Sequence, residues 1–215
     1  MKTSKIGVLG SGDVGKVLAA GFKKHGHDVT IASREGNKLG EWSAQNGIPE
    51  ATFAEVAASA DILVLAVLGR VAEDAIRLAG VDNLAGKTVL DATNPIAAAP
   101  PVNGVLQYFT GPNESLMERL QKLAPEAHFV KAFSSVGNPM MINPSYAAGR
   151  PTMFICGNNA DAKATTTQIL DQFGWETADM GQVESARAIE PLCQLWCING
   201  FTKNEWTHAF KLLHK

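Results

Sequence analysis

Short, bulky apolar runs alternate along the chain with stretches in which apolar residues recur every three to four positions. "KIGVLG", "DVTIAS", "DILVLAV", "KTVLDAT", "AHFVKAF", "TMFICG" and "WETADM" predict strands, and several are apolar without alternation, as strands buried on both faces are. Between most of them the spacing predicts amphipathic helices over Val14 to His25, Lys38 to Asn46, Val71 to Ala79, Glu114 to Leu123 and Ala160 to Phe173. Strand, helix, strand repeated throughout predicts an α/β protein with a doubly wound, mostly parallel sheet.

Local chemistry supports these boundaries. "TFAE", Thr52 to Glu55, is a capping box that opens a short helix, and Gly26 ends the first helix where a left-handed residue costs least. "NPIAAAPPVNG", Asn94 to Gly104, holds three prolines and small side chains, so it is a loop; it follows a strand and therefore lies at the carboxyl edge, where open α/β sheets bind ligands. After Met180 the alternation stops. From Val183 the chain reads as helical with a break at Pro191, and Leu192, Leu195, Trp196, then Trp206, Phe210 and Leu213 recur at helical spacing. Residues 1–182 thus form the principal domain and 183–215 a helical tail that packs on the domain or on a second copy.

Composition narrows the function classes. With 215 residues, 46% apolar and 19% charged, the chain is that of a soluble globular protein. A net charge of -2 and an isoelectric point near 6.2 give no reason to expect a nucleic acid or an anionic membrane as partner. The longest apolar run, Ile62 to Leu68, is far shorter than the roughly 20 residues of a membrane helix. The first strand begins at Lys5 or Ile6, which leaves no room for a signal peptide, so a cytoplasmic location is expected. The three cysteines read as reduced, and no His or carboxylate falls beside them at metal-ligand spacing, so no metal is expected.

"GVLGSGDVGK" places Gly10, Gly12 and Gly15 in the G-x-G-x-x-G spacing after a buried strand and at the start of an amphipathic helix. Gly10 permits the tight turn, Gly12 lets a pyrophosphate reach the backbone, and Gly15 lets helix and strand pack closely, while the free amides at the helix start favour an anion. Asp13 in that turn caps amides or meets a ribose or substrate. The end of the second strand, "VTIASREGNK", carries Ser33 and Arg34 where NAD-binding chains place an acid for the ribose hydroxyls. Serine can donate to a 2'-phosphate, arginine can bind it through two parallel bonds, and Lys38 adds a charge; Glu35 is expected to point elsewhere. The cofactor expected of this Rossmann-like domain is NADP.

"GVLGSGDVGK", "ASREGNK", "LDATNP" and "VKAFSSVG", in this order and spacing, resemble the NADP oxidoreductase family that uses the deazaflavin coenzyme, factor 420. The likeness extends to the cytosolic domain of the six-transmembrane metalloreductases, covers about Lys5 to Gly137, and continues more loosely through "ARAIEPL". The resemblance implies that Ser11, Gly12, Asp13 and Val14 hold the pyrophosphate and that Ser33, Arg34 and Lys38 hold the 2'-phosphate. It implies that Ala66, Val67 and Leu68 lie against the ribose, that Asn94 and Pro95 flank the nicotinamide, and that Ala132 passes close to its ring. The chain departs from the family pattern with "AVLG" in place of a frequent proline and with Ser134 in place of a frequent asparagine, both on the acceptor side. The resemblance to the metalloreductases is not expected to extend to their membrane portion.

Hydride transfer between nicotinamide and a flavin-like ring needs close, ordered rings and water exclusion more than an acid or base, so no catalytic side chain is expected. Walls would come from Val67, Leu68, Asn94, Pro95 and Phe133, with Met140 and Met141 read either as further wall or as core. The second substrate is expected to be a small-molecule hydride acceptor: the deazaflavin, or FMN or FAD. Two alternatives stay open. One is a reductase of a small carbonyl or imine compound using Lys131 or Asp91 for proton transfer; the other is an NADPH-sensing module without turnover. Histidines 25, 27, 128, 208 and 214 are scattered with no nucleophile beside them, and the tail's large aromatic residues favour a homodimer.

Overall fold

The computed structural model describes residues 3–213 and 215; His214 lies outside the described residues. Among the described residues eight strands form: β1 Lys5–Leu9, β2 Asp28–Ala32, β3 Glu50–Ala51, β4 Ile62–Leu65, β5 Thr88–Asp91, β6 His128–Lys131, β7 Thr152–Ile155 and β8 Glu176–Asp179. The helices are α1 Asp13–Lys24, α2 Gly40–Asn46, α3 Phe53–Ser59, α4 Ala72–Ala79, α5 Leu116–Leu123, α6 Ala160–Gln172, α7 Ala186–Ile189 and α8 Pro191–Lys203. Strands β1 to β6 make one parallel, Rossmann-like sheet in the order β3-β2-β1-β4-β5-β6. Because the order reverses between β1 and β4, the two halves diverge there and leave a crevice at their carboxyl ends.

The unalternating apolar runs are explained by two cores. Ile6, Val8, Ile62, Val64, Leu90 and Val130 face one side, where they meet Leu18 and Phe22 of α1 and Ile169 of α6. Leu9, Leu63, Leu65, Val89 and Phe129 face the other, against α3, α4 and α5. Successive side chains on a strand point to opposite faces, so burying both requires every position to be apolar. The capping box at Thr52 forms as read, its hydroxyl accepting from the Glu55 amide while Glu55 accepts from the Thr52 amide. An analogous pair, Ser115 with Glu118, opens α5.

Three features differ from the sequence expectation. The two-residue strand β3 is too short to show a pattern. Strands β7 and β8 do not extend the main sheet but pair with each other, and Lys131 and Cys156 form an antiparallel bridge between them and β6. The segment 132–151 between β6 and β7 holds no α-helix to make a parallel crossover, only the 3-10 turn Asn138–Met140, and the chain meets β6 again in the opposite sense at the Lys131–Cys156 bridge. The tail beyond Lys203 is not helical. Asn204 adopts the left-handed conformation (φ 55°) and ends α8, and the chain doubles back as a strap. The Trp206 ring lies over Gly200 and beside Trp196, Trp196 Nε1 donates to the His208 carbonyl at 2.8 Å, and the Thr152 amide donates to the Phe210 carbonyl at 2.9 Å. The aromatic spacing reflects a returning segment laid on a helix.

Candidate nucleotide-binding site

A cleft of about 830 Å³ opens at the carboxyl edge where β1 and β4 diverge. Gly10, Ser11, Gly12, Asp13 and Val14 form its floor. Gly10 has φ 137°, and a Cβ there would fall 2.2 Å from the Ala66 carbonyl oxygen. A Cβ on Gly15 would fall 2.0 Å from the Gly10 carbonyl oxygen, so that glycine sets how closely α1 approaches the turn. Gly12 differs, because a Cβ there would meet nothing within 4 Å. It is the N-cap of α1, no side chain caps the helix, and its smallness leaves the helix's first amides open to the cleft. The residues therefore fit a dinucleotide pyrophosphate, which those amides and the helix dipole would hold.

Arg34, Glu35 and Lys38 line one end of the cleft. Arg34 is exposed and has no hydrogen-bond or ion-pair partner among the described residues. Glu35, expected to point elsewhere, borders the same cleft, because the bend after Ala32 turns residues 34, 35 and 38 to one side. Ser33 is buried and outside the lining; its Oγ accepts from the Gly36 amide at 3.0 Å and shapes that bend from below. The residue the sequence reading missed is Glu50, whose two oxygens accept from the Lys38 and Leu39 amides at 2.8 and 2.7 Å. Burial alone would raise its pKa, but bonds from Ser33 and those two amides, with the Lys38 charge, hold it below the usual carboxylate value. Glu50 thus fixes the loop that carries the cations, and it sits on the strand too short to read.

Ala66, Val67, Leu68, Val71 and Ala92 line the cleft's other arm, and Phe53 also contributes to the lining. Phe53, Val71 and Ala92 were not singled out in the sequence. Asn94, Pro95 and Ala132 lie just beyond the lining, on the loops after β5 and β6. Asn94 Nδ2 donates to the Ser134 carbonyl at 2.9 Å and so ties those loops together, while Asn94 Oδ1 and Ser134 Oγ are buried without a hydrogen bond. Phe133, between Ala132 and Ser134, has φ 61°, a conformation that costs a bulky residue about 1–2 kcal/mol. Its ring turns away from the cleft toward Phe173, and Met141 is likewise buried in the core.

Lys131 and Asp91 do not reach the cleft. Both are fully buried, with Lys131 Nζ 2.6 Å from Asp91 Oδ2, 2.9 Å from Glu190 Oε1 and 2.9 Å from the Thr93 carbonyl oxygen. Burial alone would lower the lysine's pKa, but the Asp91 and Glu190 carboxylates overcome this and hold it above its ordinary value, so it is an ammonium. Among the described residues no group of three or more His, Cys, Asp or Glu could hold a metal, and no helix is long and apolar enough to cross a membrane.

Residues 5–95 match the family described as NADP oxidoreductase, coenzyme F420-dependent. A crystal structure of a protein from Arthrobacter sp. FB24, assigned as an F420-dependent NADP reductase, superposes with a TM-score of 0.92 at 31% identity, covering 98% of this chain and all of that one. The F420-dependent NADP reductase of Methanothermobacter thermautotrophicus is 26% identical over 208 residues, 91% of this chain and 87% of that protein. Metalloreductase STEAP3 of Rattus norvegicus is 30% identical over 189 residues, 87% of this chain; the match spans 36% of that protein, so the chain covers about a third of it.

Proposed function

The chain belongs to the family of coenzyme F420-dependent NADP oxidoreductases, and from that premise we propose that it transfers a hydride between NADP(H) and a flavin or deazaflavin ring. The observation that carries this reading is the pairing of an uncapped α1 terminus at Gly12 with an Arg34 guanidinium that has no partner among the described residues, both on one cleft. The first suits a pyrophosphate and the second a 2'-phosphate, so NADP is favoured over NAD. Lys38 adds a second cation on the same side, which outweighs the nearby Glu35.

The nicotinamide, when bound, supplies the hydride. The protein binds and orients: the α1 amides hold the phosphates, Arg34 and Lys38 set the adenosine end, and the apolar arm of Val67, Leu68, Val71 and Ala92 takes the ribose and leads to the nicotinamide end at Asn94, Pro95 and Ala132. A hydride carries both electrons with it, so no side chain in the cleft has to act as acid or base. Burial of Lys131 and Asp91 against each other argues against the carbonyl or imine alternative, which needs one of them at the substrate. Sulfur chemistry is not needed, and the enzyme's place in this reading is cytoplasmic.

A homodimer belongs to the same reading. Leu195 and Phe201 of α8 are 55% and 47% exposed, and Val102 and Val105 stand exposed on a turn whose Gly104 packs against Thr202 and Phe201. Such a patch suits a self-complementary contact. The experiment that tests the function is a titration with NADPH and NADH, followed by FMN, FAD and the deazaflavin while the reduced-nicotinamide absorbance is watched. Oxidation of bound NADPH by one of these acceptors supports the reading; tight NADPH binding with no oxidation by any of them refutes it.

A further inference from the structure

We propose that Lys131 is a positioning residue for the nicotinamide half of the cofactor, acting through the Thr93 carbonyl to fix the turn that carries Asn94 and Pro95. The inference rests on the reading above that the nicotinamide lies against the ends of β5 and β6. The Lys131 ammonium donates to the Thr93 carbonyl oxygen at 2.9 Å and is ion-paired with Asp91 Oδ2 at 2.6 Å and Glu190 Oε1 at 2.9 Å, so it is held from three sides. Thr93 is held again from its other side, where its amide and hydroxyl both donate to Asp91 Oδ1 at 2.9 and 2.6 Å. One residue is thus gripped at its N–H, its C=O and its side chain, and the next residue is Asn94.

The same cluster governs the neighbouring strand. Lys131 is the last residue of β6, lies opposite Asp91 in register, and precedes Ala132, whose amide donates to the Asp91 carbonyl at 3.0 Å. Beyond it Phe133 is held in a left-handed conformation, which persists only where the surroundings over-determine it. Glu190 completes the arrangement from the C-terminal segment. Its oxygens also accept from the Leu116 and Met117 amides at the start of α5, both at 3.0 Å, so the charge that steadies Lys131 is anchored on a helix terminus.

Stability alone does not account for such a device, because a buried ion cluster and an apolar group of similar volume often stabilise a fold about equally. What an apolar core could not do is bind the Thr93 carbonyl and tie two strand ends to one point. The cluster lies behind the Asn94 and Ala132 loops and outside the cleft lining, so its effect on the cofactor is felt through the backbone.

The test compares NADPH with adenosine 2',5'-bisphosphate, which has the adenosine end and the 2'-phosphate but no nicotinamide. In Lys131→Met the Kd for NADPH is expected to rise about tenfold, or about 1.4 kcal/mol, while that for the bisphosphate stays within about twofold. The fluorescence enhancement of bound NADPH should fall with it. A merely structural role would lower thermal stability and shift both affinities together, or neither. Because Lys131→Met leaves two buried carboxylates unpaired and can prevent folding, Thr93→Val, which removes only the hydroxyl bond to Asp91, carries the same expectation at about a threefold change. Unchanged discrimination between the two ligands in folded Thr93→Val overturns the proposal. If wild-type protein already binds the two ligands equally, the placement of the nicotinamide fails and the inference falls with it; if wild type discriminates and the variants do so equally well, the inference alone fails.

Discussion

Replacing Arg34 by serine tests the cofactor assignment most directly, because the structure separates what the residue does for folding from what it offers a ligand. Its guanidinium is exposed and partnerless among the described residues, so Arg34→Ser removes no internal bond and should leave thermal stability within about 0.5 kcal/mol. A charge-assisted bidentate contact to a phosphate contributes about 1.5–3 kcal/mol net, and exposure puts this one toward the lower end. At about 1.4 kcal/mol per tenfold, a loss of 1.5–2 kcal/mol raises the Kd for NADPH roughly 12- to 27-fold. NADH has no 2'-phosphate, so its Kd should be nearly unchanged. The assay is a fluorescence titration of both cofactors against both proteins at two ionic strengths. Salt should narrow the wild-type preference for NADPH, because the contact is a screened one at the surface. Equal weakening of NADPH and NADH would show that Arg34 does not read the 2'-phosphate, and the NADP argument built on it would fail.

The glycine turn makes a paired prediction. Gly12→Ala, whose Cβ meets open space, should cost less than about 1 kcal/mol of stability yet lower NADPH affinity by more than about tenfold, whereas Gly15→Ala, whose Cβ falls 2.0 Å from a carbonyl oxygen, should destabilise by about 3 kcal/mol in chemical denaturation. The Arg187 guanidinium, against burial and with help from Ser115, holds the Glu118 carboxyl down to about 2 from an ordinary 4.5. A lowered folded-state pKa means stability that is present above the unfolded value and lost as pH falls through the folded one. Denaturation midpoints should therefore drop between about pH 4.5 and 2 by an amount worth about 2 kcal/mol, and Glu118→Gln should flatten that limb. Trp206→Ala strips the ring that covers Gly200 and Trp196, and with 37% of the residue exposed the expected loss is about 2 kcal/mol in thermal unfolding, with NADPH affinity unchanged.

What the sequence made legible was whatever depends on neighbours a few residues apart. The strands of the main sheet other than β3 announced themselves by their apolar runs, and the capping box at Thr52 and the glycine turn are both complete within a few positions of chain. Where the reading failed, the determinant lay elsewhere in the chain. Ser33 was given to the phosphate because serine near a strand end can donate, but its hydroxyl is taken by the Gly36 amide and by Glu50, and Glu50 itself sits on a strand that exists only because β2 is beside it. Trp206 and Phe210 fit a helical period, yet Asn204 stops the helix; Trp206 turns back over Gly200, and the Phe210 carbonyl accepts from the Thr152 amide. Lys131 looked available at a strand end, and two carboxylates from opposite regions of the chain claim it.

Glu190 shows why distance in sequence matters more than residue type. It meets α5 amides 74 and 73 residues away, and through Lys131 it joins the C-terminal helices to the loops expected beside the nicotinamide. In "ARAIEPL" nothing distinguishes it from a surface acid before a helix-starting proline. Its neighbour Arg187, three residues earlier, pairs with Glu118 on the same α5, so one turn of chain contributes two opposite charges to one helix terminus. Such a terminus would otherwise leave its amides unpaired against the core, a cost of about 1–3 kcal/mol for each buried group. The C-terminal segment therefore completes α5 and, with it, the charge cluster behind the candidate site: it is part of the nucleotide-binding domain's own architecture, and its removal should loosen the Asn94 turn along with the helix it caps.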